Sequence, residues 1–77
     1  MENLILEKLT QIAKEISGST TVLEMNVDIA TACDMSSFQM AMFYCAVEDH
    51  FGVTVEDFYL CRNTTTLVDV IQKGGST

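Results

Sequence analysis

Met35-Ser36-Ser37-Phe38-Gln39-Met40-Ala41-Met42-Phe43-Tyr44-Cys45-Ala46-Val47-Glu48-Asp49-His50-Phe51-Gly52 reads as one helix with its start and stop signals in place. Ser36 and Gln39 have the spacing of a capping box, in which the serine hydroxyl accepts from the backbone N–H three residues on and the glutamine side chain reaches back. Met35 before the cap and Met40 at the fourth helical position fit the accompanying hydrophobic staple. The helix is expected from Ser37 to about His50, with Gly52 as its stop. Met40, Phe43, Tyr44, Val47 and Phe51 mark one apolar face, and Phe38, Ala41, Met42 and Cys45 cover most of the rest. Such a helix is either buried nearly all round or leaves an apolar stripe exposed.

Working outward, the chain holds no proline, repeat or low-complexity block, so glycines and capping residues punctuate it. Upstream, Ile5, Leu9, Ile12 and Ile16 recur at helical spacing, predicting an amphipathic helix from about Asn3, as N-cap, to Ser17, stopped by Gly18. Between Gly18 and Met35 lies a long polar connection with scattered Val22, Leu23, Met25 and Ile29. It is expected to pack across the helices as a structured loop, with a helical turn near Val22 to Asn26. Downstream, Val53-Thr54-Val55 alternates like a strand but has nothing to pair with, and reads as loop. Glu56 to Leu60 is expected to form a short turn carrying Phe58 inward. Asn63-Thr64-Thr65-Thr66 caps a final helix holding Leu67, Val68, Val70 and Ile71 and closed by Lys73 and Gly74. Residues 74–77 are expected to be a mobile tail. The elements predict an all-α fold: a small three- to four-helix bundle of up-down type with a long first loop, as one domain over residues 1–77.

Composition narrows the function. With 77 residues, 48% of them apolar, the chain has little interior for a catalytic cavity. Four basic against eleven acidic residues give a net charge of −7, which argues against nucleic acid and anionic membrane as partners and favours a basic patch on another protein. Cys33, Cys45 and Cys61 form no CxxC pair and read as reduced, small hydrophobes of a cytoplasmic protein. The start Met1-Glu2-Asn3 lacks the basic and apolar regions of a signal peptide, and the longest apolar run, Met40 to Val47, is too short to span a bilayer. His50 is the one histidine, and fourteen helical residues, about 20 Å, separate it from the serines at the start of the same helix. No catalytic triad and no metal site follow from these residues, because Glu48-Asp49 and Glu56-Asp57 lack the spaced oxygens of a calcium loop. The chain is therefore expected not to be an enzyme.

What remains is a serine pair at a helix start, where unpaired N–H groups and a partial positive charge favour a phosphate esterified to a serine. Met35-Ser36-Ser37-Phe38-Gln39-Met40, followed by Ala46-Val47-Glu48-Asp49-His50-Phe51-Gly52-Val53-Thr54-Val55, resembles acyl carrier proteins. There an Asp-Ser-Leu motif opens the second helix, and an acidic segment ending in Phe closes it before an Ile/Val-rich loop. Asn63-Thr64-Thr65-Thr66-Leu67-Val68-Asp69-Val70-Ile71 is similar to the start of that family's final helix. The likeness extends over nearly the full chain and is poorest before Met35.

Setting the family's closing Phe on Phe51 places its modified serine on Ser37, its motif Asp on Ser36 and its motif Leu on Phe38. The resemblance then implies a 4′-phosphopantetheine arm on Ser37, with Ser36 as the alternative register. The arm's terminal thiol would carry an acyl group as a thioester. It implies a phosphopantetheinyl transferase as partner, together with acyl-loading and synthase enzymes whose basic or mixed basic and apolar patches would meet Phe38, Gln39, Met42, Glu48 and Asp49. The carrier is expected to be monomeric. Ser36 in place of the motif's aspartate keeps the capping oxygen but removes a charge a transferase reads, and Gln39 and Met42 stand where fatty-acid carriers are usually acidic. These departures suggest a polyketide, fatty-acid-like or other secondary pathway, or else an unmodified module that docks a partner through the apolar face of this helix. Met40, Phe43, Tyr44, Val47, Phe58, Leu60, Val68 and Ile71 are expected to form the core or to line a space that shelters an acyl chain, with Tyr44 or Tyr59 at its mouth.

Overall fold

The apolar spacing of the first segment builds α1 (Glu2–Ser17), which buries Ile5, Leu9, Ile12 and Ala13 and exposes Glu7, Gln11, Lys14 and Glu15. Asn3 lies within its first turn rather than at a cap, because the helix begins at Glu2. Gly18 ends it in the left-handed region (φ +73°), where its N–H donates to the Lys14 carbonyl at 2.8 Å. The computed structural model describes residues 2–74. Among them it shows an all-α bundle of four helices and no strand: α1, α2 (Ile29–Ala32), α3 (Ser37–Phe51) and α4 (Thr64–Gln72), with a 3₁₀ turn at Leu60–Arg62. α1 packs on both α3 and α4. Leu9, Ile29, Phe43, Val47, Leu67 and Val68 form the centre of one core.

The long first loop is structured, as expected, but its helical turn is not at Val22 to Asn26. It is α2, which starts three residues beyond Asn26, where a cap exists: the Asp28 side chain accepts from the Thr31 N–H at 3.0 Å. The preceding stretch is anchored by other means. Leu23 is buried, and its N–H donates to Thr10 Oγ1 on α1 at 3.0 Å.

The start of α4 grips the same loop. Asn63 caps α4 by accepting from the Thr65 N–H at 2.9 Å. Thr64, with 0% exposure, accepts from the Val27 N–H and donates to the Glu24 carbonyl, while its own N–H donates to the Val27 carbonyl at 2.9 Å. Thr65 Oγ1 accepts from the Asn26 N–H at 2.8 Å. Asn26 has φ +61°, a conformation that asparagine tolerates better than most residues with a side chain.

The Glu56 to Leu60 expectation is corrected in two respects. The helical turn falls at Leu60–Arg62 and turns Cys61 inward, while Phe58 remains 43% exposed. Phe58 caps the core from outside by stacking on Tyr44, with ring centroids 4.6 Å apart. Leu60 and Tyr59 are exposed as well, so neither Leu60 nor Phe58 belongs to a buried lining. Val53-Thr54-Val55 is loop, with both valines buried. α4 ends at Lys73 and Gly74, whereas the expected tail beyond Gly74 lies outside the described residues.

Asp28 links the loop to the 3₁₀ turn through a two-point ion pair, with Arg62 Nε to Oδ1 at 3.0 Å and Nη2 to Oδ2 at 2.9 Å. Arg62 first, then the Thr31 hydroxyl, holds its carboxyl at about 2. The folded value lies below the ordinary 3.8, so the ionised form stabilises the fold above about pH 4, and that contribution is lost as pH falls toward 2. Both side chains are more than a third exposed, so solvent screens the pair and its contribution is small. Arg62→Gln is therefore expected to lower the urea midpoint slightly at pH 6, and by clearly less at pH 2, where Asp28 is losing its charge. An equal deficit at both pH values would assign the loss to packing.

Candidate functional site

The entry to α3 is built by the exit from α2. Cys33 ends α2, Asp34 adopts φ +53°, and the Met35 N–H donates back to the Ala30 carbonyl at 2.9 Å, completing a Schellman-type turn with aspartate where glycine is usual. Met35 is buried, so the chain is held on the core immediately before the two serines.

Ser36 then caps α3 with φ −72° and ψ 170°. Its hydroxyl accepts from the Gln39 N–H at 3.2 Å, and its own N–H donates to Gln39 Oε1 at 3.0 Å, so both halves of the capping box are present. The two serines thereby separate in role. Ser36 is committed to the cap, whereas Ser37, the first helical residue, is exposed and its hydroxyl forms no hydrogen bond with any described residue. A helix start leaves four N–H groups without intrahelical partners. The capping box takes up those of Ser36 and Gln39, which leaves the N–H groups of Ser37 and Phe38 without a partner among the described residues, at the positive end of the helix dipole.

A phosphate ester on Ser37 fits this arrangement, because two free donors and a favourable dipole adjoin the oxygen that would carry it. The residues that would hold the phosphate are Ser37, through its Oγ, and the backbone of Ser37 and Phe38. Ser36→Ala is expected to cost about 1 kcal/mol in unfolding free energy, read by urea denaturation, because it removes the cap and leaves Ser37 intact.

The buried face of α3 is Met40, Phe43, Tyr44 and Val47, and the opposite face leaves Phe38 (73% exposed), Met42 (40%) and Cys45 open. Cys33 and Cys61 are buried as expected of small hydrophobes, but Cys45 is not. Burial, and next the charge of Asp57, pushes the Cys61 thiol above its ordinary value. Gln39 is half-buried and held by the cap, so it presents its amide only in part.

The two acids assigned to docking differ. Asp49 is exposed, whereas Glu48 is half-buried and its Oε2 accepts from the Val55 N–H at 2.8 Å, pinning the loop after α3. Glu48 also serves the fold, whereas Asp49 makes no hydrogen bond through its side chain to any described residue. His50 lies exposed at the end of α3, edge-on to Phe51 at 4.9 Å. Gly52 stops the helix with φ +67°. Among the described residues no three His, Cys, Asp or Glu side chains are grouped to hold a metal ion, and no helix is long and apolar enough to cross a membrane.

Thr64, Asp28 and Arg62 carry the long-range bonds that position α2 and thereby the serine pair. Their one legible sequence signal is the Asp28-to-Thr31 spacing of a helix cap. The fold and the site define a class, a small helical bundle that presents one unengaged serine at the start of a capped helix. Comparison of the chain with models of known families, with curated proteins and with solved structures finds no match.

Proposed function

We propose that this chain is a phosphopantetheine-dependent acyl carrier with its attachment site at Ser37. The observation that carries the reading is the division of labour between the serines: the capping box consumes Ser36 and leaves the Ser37 hydroxyl free beside two unpaired N–H groups. In the modification, Ser37 Oγ bonds to the phosphorus of the phosphopantetheinyl group of coenzyme A. The adenosine bisphosphate leaves, and the hydroxyl proton passes to a base of the transferase. The arm supplies a terminal thiol that holds acyl groups as thioesters for other enzymes. This chain contributes the anchor, a rigid helix start and the surface that partners read.

That surface supports a specialised polyketide, fatty-acid-like or other secondary pathway. Phe38 and Met42 are exposed near the anchor and Gln39 is neutral, so adaptable apolar contact outweighs charge steering at this end of α3, while at its far end Glu48 is drawn into the fold. A cytoplasmic, monomeric carrier that does no bond chemistry of its own belongs to the same reading.

The same stripe of Phe38, Met42 and Cys45 favours a second reading, an unmodified bundle that docks a partner. Incubation of the apo chain with coenzyme A and a broad-specificity transferase, followed by intact mass and peptide mapping, separates them. The carrier gains one phosphopantetheinyl group on the peptide containing Ser37, and the docking module gains none.

A further inference from the structure

The interior beside α3 is occupied by aromatic rings. Tyr44 is 2% exposed; its ring stacks on Phe58 (4.6 Å, 19° between planes) and lies edge-on to Phe43 (5.8 Å, 66°). Its hydroxyl donates to the Phe58 carbonyl at 2.8 Å, which fixes the far end of the ring because a buried hydroxyl without a partner is costly. Burial also pushes the Tyr44 hydroxyl well above its ordinary pKa, so it remains a donor at any physiological pH.

One turn further along α3, Val47 has 0% exposure, as has Leu67 on α4, with Val68 at 1%. A side chain facing a void wide enough for a water-sized sphere would show accessible surface, so these values describe contact on every side. Concave surface opens outward instead, as in the groove of about 460 Å³ lined by Leu6, Thr10, Val22 and Leu23.

We propose that Tyr44 and Phe58 form a plug that keeps the carried group out of the interior of the bundle. The identity of the tethered group as cargo rests on the carrier reading, whereas its exclusion rests on packing. An alkyl chain gains by leaving water in proportion to its buried area. With the plug in place the interior offers it no such space, and a long chain could leave water only on the surface, as in the apolar groove lined by Ile5, Phe51 and Ile71.

The test tethers the chain chemically, so that it is independent of any transferase. A Ser37→Cys, Cys45→Ser protein leaves position 37 as the accessible thiol, since Cys33 and Cys61 are buried. It is labelled through a maleimide linker of pantetheine length ending in either an acetyl or a dodecanoyl group, and the methyl resonances of Val47 and Val68 are compared by NMR. The expected result is that they coincide for the two labels, and that the dodecanoyl label displaces them only after Tyr44→Phe and Phe58→Ala are added. Methyl shifts that follow tail length in the protein with an intact plug would overturn the exclusion. Shifts in neither protein would overturn its assignment to this pair. Failure of Ser37 to accept phosphopantetheine is a separate outcome, and bears on the carrier reading alone.

Discussion

Thr64→Val should cost about 2–3 kcal/mol in unfolding free energy, read by urea or thermal denaturation. The substitution keeps shape and removes the hydroxyl, so packing is nearly unchanged while the Glu24 carbonyl and the Val27 N–H lose their partner. A part-buried backbone group without a partner costs about 1–3 kcal/mol, and two are orphaned together. A domain of this size is stable by only about 4–12 kcal/mol, so the loss is a large fraction of the whole. Thr64→Ser keeps both bonds and loses one buried methyl, and is expected to cost about 1 kcal/mol. If valine were tolerated as well as serine, the grip of α4 on the first loop would not be what orders that loop.

The long helices were legible because their signals are local. Ile5, Leu9, Ile12 and Ile16 share a face by spacing alone, and Ser36 with Gln39 announces the start of α3 three residues apart. The division between Ser36 and Ser37 was readable for the same reason, since a cap must precede the first helical residue.

What the pattern missed depends on distant partners. Thr64 looked like one of several capping candidates, because its acceptor at Glu24 is 40 residues away. The helical turn was placed on Val22 to Asn26 for its apolar residues, although the cap at Asp28 is the stronger determinant in so short an element. Phe58 was expected inside because aromatic rings usually are, yet Tyr44 already fills that space and Phe58 covers it. The bond from the Val55 N–H to Glu48 was not legible either, because nothing in the neighbourhood of Glu48 discloses that the loop folds back to offer it.

The other large effect is all or none. Ser37→Ala is expected to abolish the gain of phosphopantetheine under transferase and coenzyme A, while leaving the unfolding midpoint close to that of the unsubstituted chain, since the Ser37 hydroxyl bonds to no described residue. Ser36→Ala should show the reverse pattern, with modification retained and stability lowered. The pair of variants therefore separates anchor from cap in a way neither does alone. Retention of the mass gain in Ser37→Ala would move the anchor to Ser36, and with it the requirement that the cap be given up on modification.

The most direct measurement is the intact mass of this protein isolated from its native host while its pathway is being expressed, with the modified peptide located by fragmentation. The carrier account predicts one phosphopantetheinyl group, bare or acylated, on Ser37. A chain recovered wholly at its unmodified mass from cells whose transferase modifies other carriers would contradict it, and would leave the exposed face of α3 as a docking surface.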